Sequence, residues 1–246
     1  MSEENLRLSK LLSQRGICSR RKADEWIEKG YIKVDGEVIR TLGVRVAPDC
    51  EIELSVKAKN EQAQQFTFIL NKPLRYVSGT PEDNHPTAMK LLSSDNRDPQ
   101  FKSNYEPPVN LKGLAPAGRL DINSTGLIIY TQNGVLAKKL IQQNSEVEKE
   151  YLVRVRGRLP DKNLKLLNHG LELDGKELKP AKVKWINDDQ LQFVLVEGKK
   201  RQIRRMCELV DLDVLALKRV RIGPIKLGRL QEGMWRAISK TEMSEL

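Results

Sequence analysis

The sequence is short of the residues from which metal and disulfide sites are built. Its two histidines, His85 and His169, stand far apart and form no compact ligand motif, so no metal site is expected. The three cysteines, Cys18, Cys50 and Cys207, are too widely separated for a zinc knuckle and too few for a fully paired disulfide framework; ordinary reduced thiols are expected. No apolar run approaches the roughly 20 residues that a helix needs to cross a bilayer, and the opening MSEENLRLSK has no apolar signal core. A cytoplasmic protein without a membrane partner follows as the expectation. Internal repeats and a charged low-complexity tail are also missing, and the lack of an extended coiled-coil pattern makes a monomer the default.

What is present is enough apolar material for real cores, 39% of 246 residues, and an excess of positive charge. Lys and Arg number 43 against 33 Asp and Glu, a formal charge of +10. A surface of that sign attracts a polyanion, although charge alone does not separate RNA from DNA or from an anionic membrane.

Residues 6 to 29 read as two short helices around a tight break. Leu8, Leu11 and Leu12 make an apolar stripe, and Gly16 is suited to end the first helix at positive φ. Ser19 is a natural cap for the second helix, which turns Ala23, Trp26 and Ile27 inward before Gly30. The period then changes: Ile32 and Val34 alternate, Asp35-Gly36 offers a hairpin turn, and Ile52, Leu54 and Val56 alternate again. Between residues 7 and 33 lie eight Lys or Arg and three Asp or Glu, a net +5. These cations (Arg7, Lys10, Arg15, Arg20, Arg21, Lys22, Lys29 and Lys33) cluster around a helix start. All but Lys33 are taken as candidate nucleic-acid contacts, against the plainer reading of a solvated charged face.

KAKNEQAQQ, residues 57 to 65, has no apolar repeat and reads as a linker. FTFILNKP then opens a larger domain whose segments GLIIYT, YLVRVRG, AKVKWI and LQFVLVEG add β material, with helices near residues 134 to 143 and 201 to 210. Mixed α+β architecture fits this order better than a regular alternation. The polar, proline-rich stretch 93 to 113 reads as a loop that either closes over a substrate or is a surface insertion.

In EGKKRQIRRMCELV, helical spacing puts Ile203, Met206 and Val210 on one face and Arg201, Arg204, Arg205 and Glu208 on the other. Residues 198 to 229 hold ten Lys or Arg and three Asp or Glu, a net +7, so Lys200, Arg201 and Arg205 are further candidate contacts to an anionic ligand. An arginine here could instead organise a carboxylate, which its fork matches. A candidate carboxylate lies in AGRLDINSTGLIIYT, where Asp121 precedes a turn and an apolar strand. On its own, such an Asp is more often a side-chain-to-backbone cap.

GRLDINSTGL resembles the signature around the catalytic aspartate of the bacterial pseudouridine synthases that modify ribosomal RNA. LNKP at 70 to 73, KEYLV at 149 to 153 and EGKKRQIRRM at 197 to 206 occur in that family's order. The resemblance covers nearly the whole chain. It implies a small S-four-type RNA-binding domain over residues 1 to 56, a linker over 57 to 65 and a mixed-sheet catalytic domain over 66 to 246. It maps Asp121 onto the essential nucleophile or base, Arg119 onto the arginine that gives access to a flipped nucleotide, and Tyr151 onto the active-site tyrosine. Arg204 maps onto the basic partner of the aspartate and Leu217 onto an apolar residue near the pocket. KEYLV, RQIRRMCE and EGMWRAIS are most similar to the large-subunit branch, synthases F, B and E; the F type also leaves a transfer RNA open as substrate. Stretch 93 to 113 makes the approach to GRLD longer than in the family's compact pattern.

The implied reaction breaks the bond between ribose C1′ and uracil N1, turns the retained base and joins C1′ to C5. It requires neither metal nor redox carrier. Asp121 would attack C1′ or remove a neighbouring ribose proton, and residues alone do not choose between these. The competing expectations are a non-enzymatic ribosome-assembly protein on the same scaffold, a small-subunit RNA isomerase and a transfer RNA isomerase.

Overall fold

In the computed structural model, residues 5–81, 84–101, 111–142 and 145–246 are described. The chain divides into two compact units: the residues up to Thr67 together with Thr131–Lys138, and Phe68–Tyr130 together with Lys139–Leu246.

The first unit begins with helices Leu8–Gln14 and Arg20–Glu28, separated by Gly16 at φ 70°. Ser19 caps the second helix, its Oγ accepting from Lys22 N at 3.2 Å. Strand Ile32–Val34 pairs with both Glu37–Ile39 and Ile52–Leu54. Asp35 and Gly36 join the hairpin at φ 48° and 83°, the two positive values that a tight hairpin turn demands. Leu8, Leu12, Trp26, Ile27 and Ile32 are buried between the helices and this sheet. Truncating a residue such as Trp26 would cost about 3–5 kcal/mol.

One expectation needs correction here. Residues 57 to 65 are not an irregular linker, because Val56–Ala63 is a helix capped by Ser55, whose Oγ accepts from Ala58 N at 3.2 Å. Helical propensity alone does not hold so short a segment. Tertiary contacts do: Ala58 is fully buried in the first unit's core, and Glu61 accepts from Trp26 Nε1 at 2.9 Å and pairs with Lys22 at 2.7 Å and Lys29 at 3.3 Å.

The second unit is built on a mixed nine-stranded sheet. Its main path runs Lys182–Asn187, Gln190–Leu195, Lys149–Arg156, Asp213–Ile222, Thr125–Thr131, Thr67–Lys72 and Trp235–Ala237. Asp213–Ile222 runs antiparallel to Lys149–Arg156 and parallel to Thr125–Thr131, which makes the sheet mixed. Thr125–Thr131 and Thr67–Lys72 are buried almost throughout, the pattern of strands covered on both faces. Helix Gln202–Glu208 packs on Asp213–Ile222 and buries Ile203, Met206 and Cys207. Of the expected loop 93 to 113, the part up to Phe101 is anchored, since Trp235 Nε1 donates to Ser93 O at 2.6 Å and Asp98 N to Trp235 O at 2.9 Å. Residues 102–110 of that loop lie outside the described residues. Among the described residues, no helix is long and apolar enough to cross a membrane.

The Glu61 cluster generates a pH prediction. Burial opposes ionisation of Glu61 most strongly, but bonds from Lys22, Trp26 and Lys29 together with the Lys22 charge outweigh it and hold the carboxyl at about 2. A depressed carboxyl contributes stability above its unfolded value, 4.5, and loses it as pH falls through the folded value. Glu61→Gln should therefore lower stability by about 1–2 kcal/mol near pH 7, a charged hydrogen-bond value discounted for partial exposure. Thermal unfolding of both full-length proteins should show the gap closing between pH 4.5 and 2; a gap that stays constant would remove the cluster from the stability of this unit.

Candidate active site

Asp121 lies in the turn that feeds strand Thr125–Thr131. The turn is closed by main chain, Ser124 N donating to Asp121 O at 3.1 Å. The carboxylate is therefore not used as a cap: half-buried, it accepts no hydrogen bond from any described residue. It faces a cavity of about 400 Å³ lined by Val77, Ser78, residues 119 to 123 and Arg201.

The opposite lip of this cavity is stitched to the Asp121 turn. Buried Ser78 donates its Oγ to Leu120 O and accepts from Leu120 N, both at 2.8 Å, while Tyr130 OH donates to Ser78 O at 2.7 Å. Arg75 N donates to Ile122 O at 3.0 Å. Behind them Lys72 is fully buried and donates to Pro73 O at 2.7 Å and Tyr76 O at 2.9 Å, which holds the LNKP turn closed. Burial lowers the Lys72 ammonium to about 8, the charges of Asp121 and Glu232 resisting and that of Arg219 assisting.

Two buried arginines support the turn from the other side. Arg204 Nη2 donates to Asn123 O at 2.8 Å and Nη1 to Val214 O at 3.3 Å. Arg219 Nε donates to Leu127 O at 2.7 Å and Nη1 to Arg119 O at 3.4 Å. The placement of Arg204 corrects the sequence reading twice. It is on the buried side of its helix, 8% exposed, and no ion pair joins it to Asp121. Burial first, then the Arg201 charge, lowers its proton affinity, while Asp121 acts in the opposite sense. The two groups thus interact through space, and the contact made is with the Asn123 carbonyl.

The remaining candidate residues divide clearly. Arg119 and Arg201 share the cavity with Asp121. Tyr151 and Leu217 do not line it. They lie buried on neighbouring strands, Tyr151 in register with Arg219 and Leu217 with Val153. Arg205 is held by Asp174 through two bonds, at 2.6 and 3.0 Å. Lys200 is exposed. In the first unit Arg7, Arg20 and Arg21 are exposed, Lys10 is half-buried, and Arg15 donates to Pro48 O at 2.6 Å. Lys22 and Lys29 are tied to Glu25 and Glu61. His85 Nδ1 lies 3.0 Å from Arg75 O and His169 Nε2 3.8 Å from Glu177. Sequence reasoning missed Ser78, Lys72 and Arg219. Lys72 stands inside the LNKP block and Arg219 within the basic stretch 198 to 229, but nothing local marks Ser78.

The chain is similar to known proteins over nearly its whole length. Residues 66–209 match the RNA pseudouridylate synthase family and residues 6–52 the S4 domain. An RNA pseudouridine synthase of Aquifex aeolicus (strain VF5) is 35% identical over 98% of this chain and 93% of its own length. Ribosomal large subunit pseudouridine synthase B of Bacillus subtilis (strain 168) is 32% identical over 98% and 95%. The dual-specificity RNA pseudouridine synthase RluF of Escherichia coli (strain K12) is 32% identical over 100% and 80%. A crystal structure of a pseudouridylate synthase superposes with a TM-score of 0.67 at 25% identity, covering 98% of this chain and 99% of the other.

The reciprocal pair of hydrogen bonds between Ser78 and Leu120 makes a structural prediction. Ser78→Ala leaves both Leu120 main-chain groups without that partner in a buried place, which should cost about 1–3 kcal/mol in urea denaturation. Ser78→Thr, which keeps the hydroxyl, should lose less. Equal stability of the alanine variant and wild type would mean that the turn is held by its other bonds.

Proposed function

Because the chain belongs to the RNA pseudouridylate synthase family and is an RNA pseudouridine synthase with an S4 domain, we propose that it isomerises a specific uridine of large-subunit 23S ribosomal RNA, with Asp121 as the catalytic carboxylate. The observation that carries the role of Asp121 is its carboxylate, without a hydrogen-bond partner among the described residues, facing the cavity between two cross-braced loops. The reaction needs one group at C1′ that is free to attack it or to take a neighbouring ribose proton, and a carboxylate engaged as a cap would serve neither purpose.

The chemistry then assigns parts to the other residues. The target base leaves its stack at a cost of a few kcal/mol, and cations away from the reacting atoms offset it. Arg7, Lys10, Arg15, Arg20 and Arg21 of the first unit and Lys200 of the second serve as such anchors, with Lys22, Lys29 and Arg205 contributing charge from within their ion pairs. Arg119, beside Asp121 in the cavity, holds the flipped conformation. As C1′–N1 breaks, the base turns, C5 joins C1′, the C5 proton is lost and N1 takes up a proton. Tyr151, with Leu217, belongs to the wall behind that turning base. Arg204 is a positioning residue in this scheme, acting on Asp121 through the Asn123 carbonyl and through space. A cytoplasmic monomer working on RNA alone completes the reading.

The large-subunit target rests on the relatives named above; the dual-specificity relative makes a second RNA class, transfer RNA, the alternative to examine. The test is a pseudouridine map of ribosomal and transfer RNAs from cells lacking the protein, then restored with wild type or Asp121→Asn. One large-subunit position should vanish without the protein and return with wild type alone, the variant losing about 10²–10⁴-fold or more in rate while still binding RNA. A transfer RNA position would move the substrate; full restoration by Asp121→Asn would remove Asp121 from the chemistry.

A further inference from the structure

The EGKKRQIRRM segment accounts for its polar side chains almost completely. Gln202 is buried and braces the turn before the helix, accepting from Lys199 N at 2.9 Å and donating to Glu197 Oε1 at 2.8 Å. Arg204 is engaged with Asn123 and Val214, and Arg205 with Asp174. Lys199 Nζ donates to Lys176 O at 3.4 Å. Arg201 is different. Its side chain is exposed, makes no hydrogen bond or ion pair with a described residue, and lines the cavity that Asp121 faces. Its backbone is left-handed, at φ 52° and ψ 32°, a conformation that glycine adopts freely and that an L side chain resists.

We propose, building on the reading of Asp121 above, that Arg201 binds a phosphodiester flanking the flipped uridine and so sets the nucleotide's position over Asp121. A nucleotide entering this cavity brings anionic phosphates toward a carboxylate, and like charges repel at close range. A cation at the rim has to offset that repulsion without neutralising Asp121 itself. Arg201 has the exposure for it, and a guanidinium fork matches two phosphate oxygens in one plane. Arg204 is buried behind Asn123 with both terminal nitrogens on main-chain carbonyls, so its fork is not available for the same task. Lys200 is exposed but does not line the cavity. The conformational disadvantage at Arg201 is consistent with a residue held for contact with substrate and not for the fold.

This separates stability from function at a single position. Arg201→Gly in the full-length protein should unfold about 2–4 °C higher, since glycine relieves the left-handed backbone. On an RNA carrying the mapped uridine, kcat/KM should fall about 10–100-fold, the range expected for one charged hydrogen-bonding contact. Replacing either flanking phosphate in turn with a neutral methylphosphonate identifies the partner. At the contacted phosphate, wild type should slow by a similar factor and Arg201→Gly should slow no further. Arg201→Lys, which keeps the charge but not the fork, should recover part of the loss. Wild-type turnover by Arg201→Gly, lower stability accompanying its lost activity, or equal sensitivity of both proteins to each methylphosphonate would overturn the assignment. Failure of the underlying reading would look different, because wild type itself would then form no pseudouridine in this RNA.

Discussion

The close approach of Gly126 to the main chain of Arg219 is the constraint on which the catalytic unit depends. These residues stand in register where Thr125–Thr131 runs parallel to Asp213–Ile222. A Cβ at position 126 would sit 2.2 Å from Arg219 O and 2.7 Å from Arg219 N, inside any allowed contact, and Gly126 also holds φ 104°, which disfavours a side chain. A side chain there would push apart the two strands from which the cavity is organised: one emerges from the Asp121 turn, and the other carries Arg219 under Leu127 and Arg119. The short distance between Gly126 and Arg219 thus ties the position of the carboxylate to the middle of the sheet.

Around that point the protein treats positive charge in two ways. Lys72, Arg204 and Arg219 are buried and directed at main-chain carbonyls of the loops that shape the cavity. Burying a cation is tolerable when hydrogen bonds offset its lost hydration, and several carbonyl dipoles serve here in place of a contacting carboxylate, with Arg204 Nε and Arg219 Nη2 left without a partner among the described residues. The result is a rigid turn whose carboxylate stays unengaged by direct contact, although three charges act on it or near it through space. Exposed ion pairs such as Arg205–Asp174 and Lys182–Glu148 belong to the other class. They order the surface and contribute little to stability.

The first unit shows the same economy at smaller scale. Trp26 fills its core, and the third helix earns its place by seating Ala58 in that core and Glu61 against the indole N–H. Two lysines that read as free basic charge, Lys22 and Lys29, are gathered by this one carboxylate and lie over the Trp26 and Tyr31 rings. Net charge over a segment therefore overstates what is available to a ligand. Arg20 and Arg21, on the exposed side of the same helix, keep theirs in solvent.

What the sequence determined by itself is whatever a few neighbouring residues decide through dihedral preference and period. The Ser19 cap, the positive φ of Gly16, the Asp35-Gly36 hairpin turn, the apolar side of Gln202–Glu208 and the order of the four motif blocks are all of this kind, and with them the α+β class and the family. Tertiary structure decided the rest. Asn123, Leu127 and Leu120, whose carbonyls Arg204, Arg219 and Ser78 reach, lie 81, 92 and 42 residues from them, brought near by the strand order of the sheet. Helical spacing put Arg204 and Arg201 on one face; packing buried the first beneath Asn123 and left the second in the cavity. KAKNEQAQQ likewise became helix because the Trp26 core offered a seat for Ala58 and a partner for Glu61, neither of which is written in the segment itself.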